Sequence, residues 1–292
     1  MLLVTAAHGN QGKLLIPRLL AAGVDVRACV RSDESAGALR AAGVTDVVVG
    51  DLSNPDVLAQ AMDGVEKVYY IGPALHPKER DMGIAAVDAA RVAGVRHFVF
   101  SSVLHAIITD LVQHEIKRDI EEHLISSGLE FTILQPANYM LRHRLKPAFA
   151  KGVFLLSWAL DRYQSMVDLG DVTEVAAAVL AESDRHAGAT YELAAPGRYT
   201  AHDIAKVISE VAGREVVAER IDSEVFLRSS LGVDSLEQFP YQARVSGAIS
   251  KRYSSNDFIG NPNVLRWLLG REPTTFEQFV QREFAAREMD YR

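Results

Sequence analysis

A histidine and a lysine, His114 and Lys117, stand three residues apart in a segment with helical patterning, Leu111 to Ser127. Residues three apart share one face of a helix, about one turn from each other. An imidazole exchanges a proton near neutral pH, and an ammonium group holds a polar ligand. The pair therefore predicts a proton donor beside a cationic contact. The alternative is structural: Lys117 pairs with Glu121 four residues on, and His114 is a half-exposed helix residue.

A second candidate site lies near the N-terminus, in the segment VTAAHGNQGKLL from Val4 to Leu15. A short apolar strand leads into a glycine-bearing loop, and an apolar helix follows. In such a loop, unpaired backbone N–H groups and the helix dipole bind phosphate groups. Gly9 lets a pyrophosphate approach the backbone, and Gly12 lets the helix pack closely against the sheet. The segment therefore predicts a dinucleotide loop.

The loop departs from the spacing Gly-x-x-Gly-x-x-Gly at its first position, which is Ala6. A glycine at that position permits the tight turn. If the φ angle of Ala6 is positive, its Cβ costs roughly 1–2 kcal/mol, whereas a negative φ costs almost nothing. The substitution weakens the motif but does not break it.

Arg31 ends the second predicted strand, about 20 residues past the loop, where an acidic residue would bind the ribose hydroxyls of NAD. No carboxylate occurs at this strand end before Asp33. A guanidinium group suits a 2′-phosphate because it forms paired, charge-assisted hydrogen bonds. Arg31 therefore favours NADP, and the alternative is a solvated arginine in a loop.

The elements that would position these residues alternate between strand and helix over the N-terminal half. Helices between β-branched runs are typical of parallel strands joined by right-handed crossovers. We therefore predict a doubly wound α/β fold, a parallel Rossmann sheet. The predicted strands are Leu2 to Thr5, Asp25 to Val30, Val47 to Val49, Lys67 to Ile71, His97 to Ser101 and Phe131 to Gln135. The predicted helices are Lys13 to Ala22, Ala36 to Ala42, Pro55 to Met62, Glu79 to Ala93 and Leu111 to Ser127.

The alternation is lost after Pro136. A further helix is predicted from Val172 to Glu182 and a late strand, returning to the sheet, from Thr190 to Ala194. From Pro196 onward the predicted pieces are short and irregular. We therefore expect a Rossmann domain over residues 1–137, rejoined by residues 165–194, and a smaller, mixed α/β C-terminal lobe over 138–292.

Composition limits the class of protein. The chain has 292 residues, 48% of them apolar, and a net charge of −7 with dispersed Lys and Arg, which argues against nucleic-acid binding. Its single cysteine, Cys29, cannot form a disulfide framework, so a reducing compartment fits best. No apolar run reaches the length of a membrane span, and the strand predicted from Leu2 leads us to expect no signal peptide. We expect a cytoplasmic protein of small-molecule chemistry.

Several segments along the chain together form a family pattern. They are VTAAHGNQG, VRS at Arg31, GDLSNPDVL at Asp51, HFVFSSV at Ser101 and Ser102, HEIKRDIEEHLISSGLEFTILQP at Lys117, and NVLRWLLGREPTTFEQFV near the C-terminus. Over nearly its whole length the chain resembles the NmrA-like family, an atypical branch of the short-chain dehydrogenase/reductase superfamily. The family has glycine where Ala6 stands.

This resemblance implies a set of NADP(H) contacts. Arg31 would face the 2′-phosphate, and Asp51 with Leu52 would lie by the adenine. The turn at Gly72 and Pro73, and Pro136 with Asn138, would flank the nicotinamide, and Tyr139 and Met140 would begin the wall of the substrate pocket. The remaining implied cofactor contacts are Ala6, His8, Gly9, Asn10, Gln11, Gly12, Ser101 and Lys117.

The resemblance also bears on the roles of His114 and Lys117. Better-known branches of the superfamily use a serine after the fifth strand and Tyr-x-x-x-Lys on the next helix. Lys117 fits the lysine position, but Gln113 stands where the tyrosine would be. The NmrA-like pattern tolerates His-x-x-Lys, which implies that His114 is a proton donor or substrate contact. Lys117 would then bind the ribose or the nicotinamide amide.

Other candidates have simpler interpretations. His105 follows the fifth strand and could line the substrate site. For Ser101 and Ser102 the simpler interpretation is that they do no more than cap that strand. Asp171 is interpreted as a helix N-cap, with Glu174 completing a capping box. Phe154, Trp158 and Tyr163 either wall an apolar pocket or pack in the core, and Trp267 and Phe276 are predicted to pack. No cluster has metal-ligand spacing.

Two functions remain open. The first is an NADPH-dependent reductase of a small electrophilic acceptor, such as a quinone, enone or related carbonyl, because these need little help from the missing tyrosine. The second is a non-catalytic NADP(H)-binding redox-sensing regulatory protein that acts on a protein partner. A third hypothesis, a protein that keeps this fold but no longer binds a nucleotide, is supported only by Ala6 in the glycine loop. A homodimer is the default expectation for a soluble enzyme.

Overall fold

The computed structural model describes residues 1–287. The strands are β1 (Leu2–Val4), β2 (Val26–Val30), β3 (Asp46–Val49), β4 (Lys67–Ile71), β5 (His97–Ser101), β6 (Glu130–Pro136), β7 (Asn138–Met140), β8 (Val153–Leu156), β9 (Met166–Asp168), β10 (Ala189–Leu193) and β11 (Val217–Arg220). The helices are α1 (Gly12–Ala21), α2 (Asp33–Ala41), α3 (Pro55–Met62), α4 (Glu79–Val92), α5 (Val112–Ser126), α6 (Arg142–Lys151), α7 (Leu169–Ala181), α8 (Ser183–His186), α9 (Ala201–Ala212), α10 (Ser223–Leu231), α11 (Pro240–Ser255), α12 (Asn263–Leu269) and α13 (Phe276–Arg287).

A seven-stranded sheet within residues 1–287 has the order β10-β6-β5-β4-β1-β2-β3. The ladders of β1 with β2 and β4 are parallel, as are those of β2 with β3, β4 with β5, and β5 with β6. Helices connect these strands, so the predicted doubly wound α/β fold is confirmed. Because the strand order reverses at β1, the crevice beyond its carboxyl end is where such a sheet binds ligands.

Local signals in the sequence set several element ends. The Asn54 side chain accepts a hydrogen bond from the Asp56 backbone N–H at 2.9 Å, and Pro55 is the first residue of α3, as predicted. Ser32 caps α2 in the same way by accepting from the backbone N–H of Ser35. These caps fix the loops that follow β2 and β3.

The chain divides into two compact units. Unit 1 comprises Met1–Ile108, Gln113–Pro136 and Leu169–Glu192, and it contains β1 to β6. Unit 2 comprises Thr109–Val112, Ala137–Asp168 and the described chain from Leu193 onward. Residues 288–292 of the predicted C-terminal lobe lie outside the described residues.

Unit 2 is built around two short parallel ladders and a set of aromatic contacts. Strand β7 pairs with β9, and β8 pairs with β11. The Tyr253 ring packs against Trp158, with ring centroids 5.2 Å apart, and against Phe258 at 5.0 Å. Phe154 and Trp158 are buried, whereas Tyr163 is 38% exposed. Phe154 and Trp158 therefore belong to the core, and Tyr163 does not.

Two predictions for the second half of the chain are wrong. Instead of short irregular pieces after Pro196, the structure has α9 with 12 residues and α11 with 16. The α9 helix begins at a reciprocal capping box formed by Thr200 and Asp203, a signal that the sequence carries. Trp267 is 73% exposed on α12 and does not pack in a core, whereas Phe276 is buried as predicted.

Asp171 is not a helix N-cap, which corrects another prediction. Helix α7 begins at Leu169, so Asp171 lies inside its first turn and is buried. A carboxylate in that turn interacts favourably with the positive end of the helix dipole. Within the described chain, no helix combines the length and the apolar character needed to span a bilayer.

Candidate functional site

The loop after β1 makes a tight turn at Ala6. The φ angle of Ala6 is +46°, and the Gly9 backbone N–H donates to the Ala6 carbonyl at 2.8 Å. Of the two conformations considered for Ala6, the structure has the strained one, which costs roughly 1–2 kcal/mol for a residue with a Cβ. The turn nevertheless forms with alanine in place of glycine.

Gly12 is the residue of the loop where a side chain is least tolerated. An ideal Cβ at Gly12 would overlap the Ala7 carbonyl and lie 2.7 Å from the Ala7 Cα. The start of α1 therefore lies directly on the backbone that follows β1. This close approach is the packing role predicted for the last glycine of the motif.

Gln11 ties the loop to the neighbouring strands. Its side chain is buried, its Nε2 donates to Ser101 Oγ at 2.9 Å, and its Oε1 accepts from the Tyr69 hydroxyl at 2.6 Å. Ser101 and Tyr69 belong to β5 and β4. Gln11 and Ser101 were predicted as cofactor contacts. In the structure, the hydrogen bond between their side chains holds the loop against β5. Tyr69 was not predicted, because only its burial on the sheet brings it to the loop.

A cleft of about 590 Å³ opens beside this loop in unit 1. Seven of the predicted cofactor contacts line it, and these are Ala6, His8, Gly9, Arg31, Asp51, Leu52 and Pro73. They come from the loops after β1, β2, β3 and β4. The sheet therefore brings together residues as distant in the sequence as Ala6 and Pro73. The structure adds lining residues that were not predicted, among them Cys29, Ser32, Ser35 and Met82.

One end of the cleft is rich in hydrogen-bond donors. Arg31 is exposed, and no carboxylate of residues 1–287 lies within ion-pair distance of it. The hydroxyl of Ser32 lies 3.0 Å from that of Ser35, which lies 3.1 Å from His8 Nδ1. A guanidinium, two hydroxyls and an imidazole therefore surround the start of α2, whose positive dipole end also favours an anion.

The acidic and thiol groups of the cleft each have one protonation state at neutral pH. The Ser53 backbone N–H donates to Asp51 Oδ1 at 2.8 Å, which holds the pKa of Asp51 below its usual range and keeps the group ionised. Burial raises the pKa of Cys29 to about 11, with a further contribution from the negative charge of Asp51. The thiol is therefore protonated at neutral pH.

Lys117 pairs with Glu79, not with Glu121. Lys117 Nζ lies 2.7 Å from Glu79 Oε1 and 5.1 Å from the centroid of the Phe100 ring. The i,i+4 pair with Glu121, given as the structural alternative, does not form, and Ser102 and Gln135 hydrogen-bond the Glu121 carboxylate instead. Burial raises the pKa of Glu121. Ser102 therefore orients this acid and does not simply cap β5.

The turn after β4 lies directly on this ion pair. An ideal Cβ at Gly72 would be 3.0 Å from Glu79 Oε1 and 3.1 Å from Lys117 Nζ. Gly72 therefore lets the backbone approach the ammonium group closely. Two residues predicted at the nicotinamide end, Gly72 and Lys117, are brought together.

His114 is buried, which corrects its interpretation as a half-exposed residue. It is 1% exposed, and its Nδ1 lies 2.9 Å from the His105 carbonyl oxygen. A carbonyl only accepts, so Nδ1 carries a proton in this contact. His105 has a φ of +56°, and its own Nδ1 lies 3.1 Å from Glu192 Oε1. The two histidines are therefore in contact through the loop backbone.

The remaining predicted residues are distributed over both units. Asn10 is exposed on the loop, and the Pro136 carbonyl at the end of β6 accepts from the Leu104 backbone N–H at 2.9 Å. Asn138, Tyr139 and Met140 form β7 of unit 2. Among the residues described, no group of three His, Cys, Asp or Glu side chains is arranged to hold a metal ion.

These features fit a dinucleotide that carries a 2′-phosphate. The close approach at Gly12 leaves backbone, not side chain, at the phosphate loop, and the cleft has room for a nucleoside. Arg31, with the hydroxyls of Ser32 and Ser35, offers donors to an anion in that cleft.

Comparison with known proteins gives relatives that match nearly the whole chain. It is 29% identical to the NAD(P)H azoreductase of Xenophilus azovorans over 98% of this chain and 99% of that one. Its structure is similar to that of Citrobacter sp. triphenylmethane reductase complexed with NADP(H), with a TM-score of 0.82 and 26% identity over 97% and 100% of the two chains. It is also similar to the NADPH complex of the quinone oxidoreductase 2 of Escherichia coli, with a TM-score of 0.80 and 26% identity over 97% and 100%.

The family model that describes the NmrA-like family matches residues 1–280. That match covers both units, including the loop after β1 and the aromatic contacts of unit 2. The chain belongs to the NmrA-like family.

Proposed function

We propose that this chain is an NADPH-dependent oxidoreductase that transfers a hydride to a small electrophilic acceptor, such as a quinone, an enone or a related carbonyl. The observation that carries the proposal is the cleft of unit 1, where a glycine-dependent phosphate loop and Arg31 line one space. The relatives support it, since they are named as reductases and two of them are solved with NADP(H).

The binding roles follow from the groups present. The Gly12 backbone N–H would donate to the pyrophosphate, and Gly9 would let the pyrophosphate approach the backbone, because no side chain blocks the loop there. Arg31, assisted by the hydroxyls of Ser32 and Ser35, would hold the 2′-phosphate by charge-assisted hydrogen bonds. Leu52 would contact the adenine, and Asp51 remains ionised beside it.

When bound, NADPH supplies the hydride. Lys117 would hold polar groups of the cofactor at the Gly72 turn, since its ammonium lies within 3.1 Å of the ideal Cβ position there. Glu79 balances its charge at 2.7 Å and fixes its position, so Lys117 acts in binding rather than as a proton donor. Removing either partner would leave a buried charge, which is unfavourable.

We assign proton donation to His114. Its Nδ1 hydrogen is engaged by the His105 carbonyl, which orients the ring and leaves Nε2 as the atom that would gain or release a proton. Gln113 cannot replace a tyrosine in this role, because an amide does not titrate. We therefore expect acceptors whose reduced form is an easily protonated anion, with Tyr139 and Met140 as candidate acceptor contacts.

The test is NADPH oxidation by the purified protein, measured with quinones, enones and aldehydes. We expect turnover with a quinone or enone, and turnover at least about tenfold lower in His114→Gln with unchanged NADPH affinity. The matched control is His123→Gln, since His123 lies on the same helix and pairs with Asp88 at the surface. Tight NADPH binding without oxidation by any member of the panel would overturn the proposal and favour the regulatory hypothesis.

A further inference from the structure

A small pocket inside unit 2 has a polar end and apolar walls. Its volume is about 30 Å³, and it is lined by Arg144, Gln164 and Asn138 together with apolar side chains that include Phe154 and Ile204. All of its lining residues belong to unit 2. Room of this size admits one or two water-sized groups, whereas a benzene-sized ligand needs about 150 Å³. The pocket therefore suits the polar head of a ligand and excludes a ring.

The first polar group of the pocket is a guanidinium without a counter-charge. The Arg144 guanidinium carbon lies 5.7 Å from the centroid of Trp158 and 5.3 Å from that of Phe226. In the part of the chain that the structure describes, no carboxylate lies within ion-pair distance of Arg144. Burial lowers the pKa of Arg144. An arginine stays charged in proteins, so its charge is shielded from water by rings and is not neutralised.

The second polar group is a buried amide. Gln164 is 4% exposed, and its backbone is fixed because its N–H donates to the Tyr199 carbonyl and its carbonyl accepts from the Tyr199 N–H, both at 3.0 Å. Its Oε1 accepts from Asn138 Nδ2 at 3.2 Å. Its Nε2 is buried and has no hydrogen-bond partner among residues 1–287. An amide donor left unsatisfied in this way is unfavourable, so a ligand atom that accepts a hydrogen bond from it is stabilised.

The orientation of the Gln164 amide follows from its neighbour. Asn138 Nδ2 donates to Gln164 Oε1, so the oxygen of Gln164 faces Asn138. The Gln164 donor is thus the part of that amide which remains for the pocket.

We propose that this pocket binds a small carboxylate group, whose two oxygens accept hydrogen bonds from the Arg144 guanidinium and the Gln164 amide. A carboxylate supplies the negative charge that Arg144 lacks and the acceptor that Gln164 lacks. Its size matches the available volume. A neutral amide of the same shape supplies no negative charge to the Arg144 guanidinium, and one of its two polar groups is a donor, which the Gln164 donor cannot use.

The experiment uses the fluorescence of Trp158, which lies against Arg144. The chain has two tryptophans, so Trp267→Phe removes the exposed one and leaves Trp158 as the reporter. Acetate and acetamide are titrated at constant ionic strength and without nucleotide. We expect a saturable change with acetate and none with acetamide. Arg144→Met and Gln164→Leu should each weaken acetate binding at least about tenfold, and Arg142→Met should leave it unchanged.

Arg142 is the matched control because it lies on the same helix, is exposed and pairs with Glu283. A linear or absent response to acetate in folded protein would overturn the proposal, as would equal responses to acetate and acetamide, which would indicate a water site. Retained binding in Arg144→Met would also overturn it. Because no nucleotide is present, a failure here leaves the proposed reductase function intact, and a failure of NADPH binding leaves this proposal intact.

Discussion

The cleft of unit 1 and the pocket of unit 2 each contain an arginine without a carboxylate partner among the described residues, but water reaches them differently. Arg31 is exposed at the edge of a space of about 590 Å³, so water stabilises its charge until a ligand arrives. Arg144 lies between two aromatic rings beside a space of about 30 Å³. A solvent-exposed guanidinium attracts and orients a large anion. A guanidinium shielded from water is stabilised only by a small counter-ion that fits beside it.

The two regions also differ in what shapes them. Beside the cleft, glycines allow close approaches of the backbone, since an ideal Cβ at Gly12 would overlap the Ala7 backbone and one at Gly72 would lie 3.0 Å from Glu79 Oε1. In the pocket, side chains from separate elements make the whole surface. A change of one atom should therefore damage the cleft more than the pocket.

The largest effect is expected for Gly12→Ala. The added Cβ overlaps the Ala7 backbone, so we expect the free energy of unfolding to fall by about 3 kcal/mol. NADPH binding should weaken at least about a hundredfold, while the acetate response of unit 2 persists. Urea unfolding and nucleotide titration measure both. Gly37→Ala is the control, because Gly37 lies in α2 with open space around it and should gain about 1 kcal/mol. Unimpaired NADPH binding in Gly12→Ala would contradict the role of the loop.

A smaller loss is expected for Lys117→Met. Without the ammonium beside Gly72, kcat/KM for NADPH should fall about tenfold, and the variant should lose stability because Glu79 is left buried without its partner. The double variant with Glu79→Gln separates the two effects, since it should regain stability but not affinity. Lys13→Met, on the exposed face of α1, should change neither quantity. Unchanged kinetics in Lys117→Met would remove the proposed cofactor contact.

Arg144→Met tests the difference in solvation directly. Replacing an enclosed, unpaired charge by an apolar side chain of similar length should raise the free energy of unfolding by about 1 kcal/mol. The same change at Arg31, where water surrounds the guanidinium, should stay within about 0.5 kcal/mol. Both are measured by urea unfolding. A loss of more than about 2 kcal/mol in Arg144→Met would mean that contact with the two rings outweighs desolvation, and the comparison would fail.

The smallest effect is expected for Ala6→Gly. Removing the Cβ relieves the strain of a φ of +46°, but glycine loses more backbone entropy on folding, so the net gain should be about 0.5 kcal/mol. NADPH affinity should rise severalfold at most. Ala7→Gly is the control: Ala7 is buried and has no positive φ, so this change should destabilise. A loss of stability in Ala6→Gly would show that the turn is not strained.

Local features of the fold could be predicted because they depend on neighbouring residues. Asn54 and Pro55 mark the start of α3, and the glycine loop lies between β1 and α1 where the sequence places it. The helix of Asp171 begins three residues earlier than predicted, since a carboxylate suits both the cap and the first turn.

Contacts between distant residues could not be predicted from spacing. Glu79 lies 38 positions before Lys117, and nothing in either segment distinguishes it from the nearer Glu121 as a partner. The burial of His114 depends on a loop that turns at His105 with a positive φ, which its residue type does not announce. For the same reason, no sequence pattern indicated the Arg144 and Gln164 pocket.

The central claim is that the cleft of unit 1 holds NADPH through Arg31. Its most direct test is a fluorescence titration of the protein with NADPH and NADH, repeated for Arg31→Ala and for Arg40→Ala, an exposed arginine of the adjacent α2 helix. We predict that the protein and Arg40→Ala bind NADPH at least about tenfold more tightly than NADH, and that Arg31→Ala loses this preference while keeping its affinity for NADH. Equal affinities for the two nucleotides in the unaltered protein, or a preference that survives in Arg31→Ala, would contradict the account.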